Sequence, residues 1–344
     1  MSISAEKKKQ IVSYILEKIS LEDGDFIEKT SKSFAISIPT AYKYLNDLIG
    51  EGVVQKEGRG RYKLTKKESH FLFLRNKGEL IDEDRIAEKS VLPLLKDITA
   101  EARNSWTYIL GEMINNVIDH SEAERLEIDV FTDPVKTTVR ISDDGIGIFE
   151  KIRRFYEFES KEEAAAELLK GKLTTDARHH SGEGIFFSSR LADDFVILSA
   201  DTLFSHNLFD RDLWEEKIPR QMTDNDLSAA GTTLYITISN QTHRSSRDIF
   251  DEYADVEGGF TKTKLSVKAY FDGDPVSRSQ AKRLCSRLER FKTVELDFAD
   301  ISWIGQGFAD QLFRVYTAEH PEVEMILLNM NKDVDRMYQH VMKS

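Results

Sequence analysis

The sequence predicts a multidomain α+β protein, and three observations carry that prediction. At 344 residues the chain has length for two or three domains with real cores. Its first 65 residues hold three helical stretches followed by two short strand runs. From Gly258 onward, strand-like and helix-like runs alternate as in a small α/β sheet. The expected units are residues 1–65, a charged linker at 66–90, a central domain at 91–257 and a C-terminal domain at 258–344. Hydrophobic residues make up 40% of the chain and charged residues 31%, as in ordinary globular proteins, and no apolar run approaches eighteen residues. The start MSISAEKKKQ lacks the apolar core of a signal peptide, so a cytoplasmic chain without membrane contact is expected. Cys285 is the single cysteine, which excludes an intrachain disulfide and a cysteine-based zinc site.

In the first unit Ile11, Ile15 and Ile19 recur at helical spacing, and DFIEKTSKSFA reads as a second helix. A third begins with Ser37 as cap and Pro39 in its first turn, and stops at Gly50 or Gly52. Strands Val53–Glu57 and Arg61–Leu64 follow, joined across Gly58-Arg59-Gly60. These sixty residues resemble a winged helix-turn-helix. The resemblance implies that the helix carrying Thr40, Tyr42, Lys43 and Tyr44 enters the major groove of double-stranded DNA, while Lys56, Arg59, Arg61 and Lys63 hold phosphates. A winged helix that docks protein is the alternative. Residues 1–69 carry 13 Lys and Arg against 10 Asp and Glu, a net of +3, which leaves 35 against 50 and a net of −15 for the remainder. Nucleic-acid contact is therefore expected from the N-terminal unit, with modest affinity unless the chain forms a homodimer.

Residues 66–90 are charged, with an apolar island at Phe71–Leu74, and His70 precedes Phe71 rather than an acidic residue. Leu92–Tyr108 reads as an amphipathic helix leading into the stretch that organises the chain. There Leu110, Met113, Ile114, Val117 and Ile118 make an apolar stripe, while Glu112, Asn116 and His120 fall four apart on another face. Val139 and Ile141 then lead as a strand into Asp143, Asp144, Gly145, Ile146 and Gly147. Gly182 and Gly184 precede an apolar helix start, and Gly231 with Thr232 opens a later strand. From Asp193 on, DFVILSA, HNLFD and TTLYITIS read as strands, so a mixed sheet covered by helices on one side is expected.

This succession resembles the GHKL superfamily of ATP-binding domains, that of gyrase-type topoisomerases, heat-shock chaperones, sensor histidine kinases, mismatch-repair proteins and anti-sigma serine kinases. The resemblance covers residues 80–240 and implies a GHKL α/β sandwich with ATP and Mg²⁺ as cofactors. By that resemblance Glu112 is the catalytic residue that orients or deprotonates the attacking water or hydroxyl, and Asn116 is the metal ligand through its amide oxygen. Asp143 accepts from the adenine amino group, Gly145 and Gly147 let the base lie against the backbone, and Thr232 closes the adenine pocket. Gly182 and Gly184 bring backbone amides and a helix start to the phosphates. His120 completes the E-x-x-x-N-x-x-x-H form of the anti-sigma kinase branch, with a structural histidine as the alternative. Between the glycine boxes lies the family's lid, from which Lys172, Arg178, His179 or His180 would reach the phosphates.

Beyond Gly258-Gly259, KLSVKAYF reads as strand, SRSQAKRLCSRLERF as helix, TVELDF as strand, GQGFADQLFRVYTAEH as helix, VEMILLNM as strand and NKDVDRMYQHVM as helix. The order and the loop DFADISWIGQGF resemble a small STAS-like α/β domain, which implies a docking or partner-binding role. The helix start at Gly305-Gln306-Gly307 lacks the hydroxyl that anti-sigma kinases phosphorylate. Two functions share these residues. One is an ATP- and Mg²⁺-dependent, slowly hydrolysing regulator whose nucleotide state controls the DNA-binding winged helix. The other is a serine/threonine protein kinase of the anti-sigma type, acting on a protein partner.

Overall fold

Ser4 accepts from the Lys7 N–H and starts helix α1, Ala5–Ser20, which turns Ile11, Ile15 and Ile19 inward. The computed structural model describes residues 4–173, 182–205, 230–255, 259–271 and 273–343. Helix α2, Phe26–Phe34, and α3, Ile38–Gly50, complete a three-helix unit, and Ser37 caps α3 by accepting from the Thr40 N–H. Strands β1, Val54–Gly58, and β2, Arg61–Leu64, form an antiparallel hairpin beside them. Val54 and Leu64 close a core made with Ile15, Phe26, Ala41 and Leu45.

The stretch read as a linker is built into the next domain. Strand β3, Lys67–Leu74, pairs residue for residue with β4, Arg125–Thr132, and sends Phe71 and Phe73 towards the core. Its alternation was hidden because the outward position 72 is also a leucine, half exposed at the sheet edge. Helix α4, Glu83–Lys89, then buries Ile86 and Ala87. A long helix does not begin at Leu92. Leu92–Leu94 is a single 3₁₀ turn around Pro93, and α5 runs Ala100–His120 from a cap at Thr99.

The central sheet has the order β3-β4-β5-β8-β6-β7, with β5 Lys136–Asp143, β6 Asp194–Ser199, β7 Thr202–Ser205 and β8 Thr232–Ser239. Every pairing is antiparallel, which corrects the expected mixed sheet. Strands β5 and β6 do run the same way, joined through helices α6 Ile148–Tyr156, α7 Lys161–Leu168 and α8 Gly184–Leu191. Strand β8 inserts between them and runs against both, so no parallel pair forms. Leu126, Ile128, Val139, Ile141, Ile197 and Ile236 meet Trp106, Leu110, Ile114 and Phe149 on the helical face. The opposite face carries hydroxyl pairs Thr138–Thr237 at 3.0 Å and Ser142–Thr233 at 2.8 Å, and an Arg140–Asp129 ion pair at 2.7 Å. The expected strand HNLFD lies outside the described residues.

Helix α9, Ser246–Tyr253, leads to a three-stranded parallel sheet of β9 Lys262–Ser266, β10 Thr293–Asp297 and β11 Glu324–Leu328, with β10 in the middle. The strand expected through Phe271 ends early, because Ser266 caps helix α10, Val267–Tyr270. Helix α11, Arg278–Cys285, stops before Arg287, whose φ of 66° breaks the expected long helix. Helix α12, Gln306–Ala309, passes through a π-helical stretch, Asp310–Tyr316, into α13, Thr317–Glu319, and α14 is Lys332–Lys343. Among the described residues no helix is long and apolar enough to cross a membrane.

Candidate functional site

Helix α5 presents Glu112, Asn116 and His120 on successive turns because four residues make just over one turn. All three line one wall of a pocket of about 240 Å³. Met113 and Val117, on the neighbouring stripe, add apolar surface to the same wall.

The opposite wall is the end of β5 and the turn into α6. Asp143 is only 7% exposed, and the Gly145 N–H donates to its Oδ1 at 2.8 Å. Burial pushes the Asp143 pKa up to about 6; the Gly145 N–H opposes that rise and the neighbouring Asp144 carboxylate adds to it. Asp144 faces elsewhere, accepting the N–H groups of Glu124 and Arg125 at 2.9 Å each. The pair of aspartates thus divides into one pocket carboxylate and one that clamps the start of β4. Gly147 has φ +87°, and a Cβ there would run into Ser199 Oγ, itself donating to Gly231 O at 2.8 Å. Thr232 pairs with Asp143 across the ladder, and its Oγ1 accepts the Ile148 N–H at 3.0 Å.

The third side is made by Leu168 and Leu173 before the segment 174–181, and Gly182, Gly184 and Ile185 after it. The Leu173 N–H donates to Gly182 O at 3.2 Å and ties the two stems together. The Glu112 carboxylate lies against Gly184, the first residue of α8, where a side chain would collide with it.

Eight of the nine nucleotide residues expected from sequence therefore face one cavity, and Gly145 supports it through Asp143. Lys172 does not join them, since its Nζ donates to Arg290 O at 2.8 Å in the C-terminal domain. Arg178, His179 and His180 lie outside the described residues. Sequence reasoning missed Lys151, which lines the pocket and donates to His120 O at 2.7 Å. The spacing Ile148, Lys151, Ile152 on α6 was the available signal, because it places the lysine on the pocket face.

The residues assigned to nucleic acid form a separate group. Tyr42 and Lys43 on α3, and Lys56, Arg59 and Arg61 on the hairpin, are exposed, while the Thr40 hydroxyl pairs with Ser37 Oγ at 2.8 Å. Tyr44 does not join that surface: it is buried in the three-helix core. Lys63 pairs with Glu57 at 2.5 Å. Among the described residues, no group of three or more His, Cys, Asp or Glu could hold a metal ion by itself.

With that geometry in place, residues 102–242 match the family model of histidine kinase-, DNA gyrase B- and HSP90-like ATPases. The chain contains a GHKL-type ATPase domain. Residues 280–335 match a STAS-like domain of unknown function. No curated protein matches the chain. The GHKL match runs from α5 through β8 and so contains every pocket residue described above. The match supports ATP binding and a regulatory ATPase or kinase type of function for that domain.

Proposed function

We propose that this chain binds Mg-ATP in the pocket beneath α5 and that nucleotide state controls the grip of its N-terminal unit on double-stranded DNA. The observation that carries the nucleotide half is convergence: α5, the Asp143–Gly147 turn, Thr232 and the Gly182–Gly184 stem supply complementary chemistry to one cavity. Met113, Val117, Ile152 and Leu234 give apolar surface for a base, and the buried Asp143 carboxylate gives the acceptor for an exocyclic amine. The absence of a side chain at Gly147 lets the turn pack against Ser199 and Gly231, which fixes the pocket wall that carries Asp143. Asn116 would hold the Mg²⁺ ion through its amide oxygen, and the ion would screen phosphate charge. Glu112 orients and deprotonates the attacking water, and the backbone around Gly184 offers N–H donors to phosphate oxygens at the start of α8. Lys151 adds a cation to the same wall.

The DNA half rests on the exposed Tyr42, Lys43, Lys56, Arg59 and Arg61, carried by a stretch, residues 1–69, with 13 Lys and Arg against 10 Asp and Glu. ATP acts as a switch if it binds two conformations with different affinity. The STAS-like match favours a second reading, phosphoryl transfer to a protein hydroxyl with Glu112 as base.

Incubation with γ-labelled ATP and Mg²⁺, beside Glu112→Ala and Asn116→Ala, separates the two. Free phosphate released by the wild type and lost in both variants supports the ATPase switch; label on a protein supports the kinase. DNA affinity should fall steeply with salt, and Arg59→Ala with Arg61→Ala should reduce that slope by about 2. Salt-independent affinity would sink the DNA assignment.

A further inference from the structure

The side of the pocket formed by Leu168, Leu173, Gly182 and Ile185 has a second face. Residues between and beside these wall residues reach the C-terminal domain. Glu167 and Lys170 are 2% and 1% exposed and form an ion pair with each other. Lys170 Nζ also donates to Arg283 O at 3.0 Å and Ser286 O at 2.8 Å, carbonyls at the end of α11 that have lost their helical partners. The Tyr270 hydroxyl lies 2.7 Å from Glu167 Oε1 and 3.1 Å from Arg283 O, and Arg287 Nε is 3.7 Å from Glu167 Oε2. Thr263 Oγ1 donates to Lys170 O at 2.8 Å, and Arg287 and Arg290 both donate to Lys172 O. The other stem repeats the arrangement: Gly184 and Ile185 face the pocket, while Phe186 and Phe187 enter the C-terminal core beside Tyr253 and Phe260. Gly171 lies where a Cβ would collide with both Phe186 and Phe260, so only a glycine lets the first stem pass between the two domains.

We propose that the C-terminal domain buttresses one wall of the nucleotide pocket from behind, with Glu167 and Lys170 as positioning residues that hold the Leu168–Leu173 and Gly182–Ile185 stems against α11. This deepens the nucleotide reading above and rests on it. None of the anchoring groups on the far side (Thr263, Tyr270, Arg283, Arg287, Arg290) lines the pocket, yet each is one hydrogen bond or ion pair from the segment that does. Packed stems have discrete arrangements, so occupancy of the pocket and the state of α11 are set together. Linkage then requires that a protein bound to the C-terminal domain change nucleotide affinity by the same factor as nucleotide changes affinity for it.

Hydrogen exchange on the full chain, with and without Mg-ATP, tests this against the reading it rests on. Expected is slower exchange at two places, residues 143–150 around the Asp143 turn and residues 283–292 in the C-terminal domain, the second by about tenfold. Tyr270→Phe, which removes one hydroxyl and keeps the ring, should preserve the response at 143–150 and reduce the response at 283–292 to less than half. A response at 143–150 alone in the wild type, or an undiminished response at 283–292 in Tyr270→Phe, overturns the coupling and leaves the nucleotide site standing. No response at either place overturns both.

Discussion

The two ends of the chain are joined to the GHKL domain in opposite ways. The N-terminal unit closes its own core around Ile15 and Leu45, and only Thr65 and Lys66 separate its hairpin from edge strand β3. Among the described residues, Val135 in the β4–β5 turn is the apolar side chain from beyond the hairpin that packs against that core. The C-terminal domain shares its core with α8, through Phe186 and Phe187, and shares buried charge through Glu167 and Lys170. A tethered unit with few contacts can change orientation at little cost, whereas an interlocked one moves only with the wall it holds. The difference separates a unit with its own core from one whose core is continuous with the wall of the site.

Lys170→Ala should give the largest effect. It leaves Glu167 buried without its ammonium partner, and loss of one member of a buried pair costs about 3–5 kcal/mol. Thermal melting should show the GHKL and C-terminal domains losing stability together; separate transitions there would break the comparison. Ile15→Ala should cost about 2–5 kcal/mol from lost burial and the cavity left behind. That loss should stay within the N-terminal unit, leaving the Asp143 turn's hydrogen exchange unchanged.

Asp143 gives a smaller, pH-dependent effect. Its folded-state pKa, about 6, lies above the unfolded value of 3.8, so its contribution to stability is fully present below pH 3.8 and is lost as pH rises through 6. The span corresponds to about 3 kcal/mol, absent in Asp143→Asn. Adenosine affinity should move the other way, weakening in the wild type as pH falls from 7.5 to 5, because the ionised carboxylate is the stronger acceptor. A profile identical in Asp143→Asn would remove this carboxylate from base recognition. Smallest is Lys63→Ala on the exposed hairpin, where loss of the solvent-screened pair with Glu57 should leave the melting temperature unchanged within error.

What the sequence made legible is local. Glu112, Asn116 and His120 share a helix face by spacing alone, and Asp143–Gly147 is a contiguous turn, so both boxes could be placed without a fold. Facts that depend on distant partners were not legible. KEEAAAELLKGK has the composition of a solvated helix, and Lys170 is buried only because carbonyls 113 and 116 residues away close over it. The insertion of β8 between β5 and β6 is likewise non-local, which is why strands joined by a helical crossover came out antiparallel to their neighbours. Tyr42 and Tyr44 were indistinguishable as residues, and the direction of the α3 core decided which one faces solvent.

The measurement that bears most directly on the central claim is calorimetric titration of Mg-ATP into the full chain at pH 7.5, beside Asp143→Asn and Asn116→Ala. One saturable site is expected in the wild type. Binding to Asp143→Asn should be roughly 10- to 100-fold weaker, the cost of losing a hydrogen bond to a charged group. Binding to Asn116→Ala should lose most of its dependence on Mg²⁺. Wild-type and Asp143→Asn titrations that superimpose, or a wild type that takes up no nucleotide, would contradict that claim.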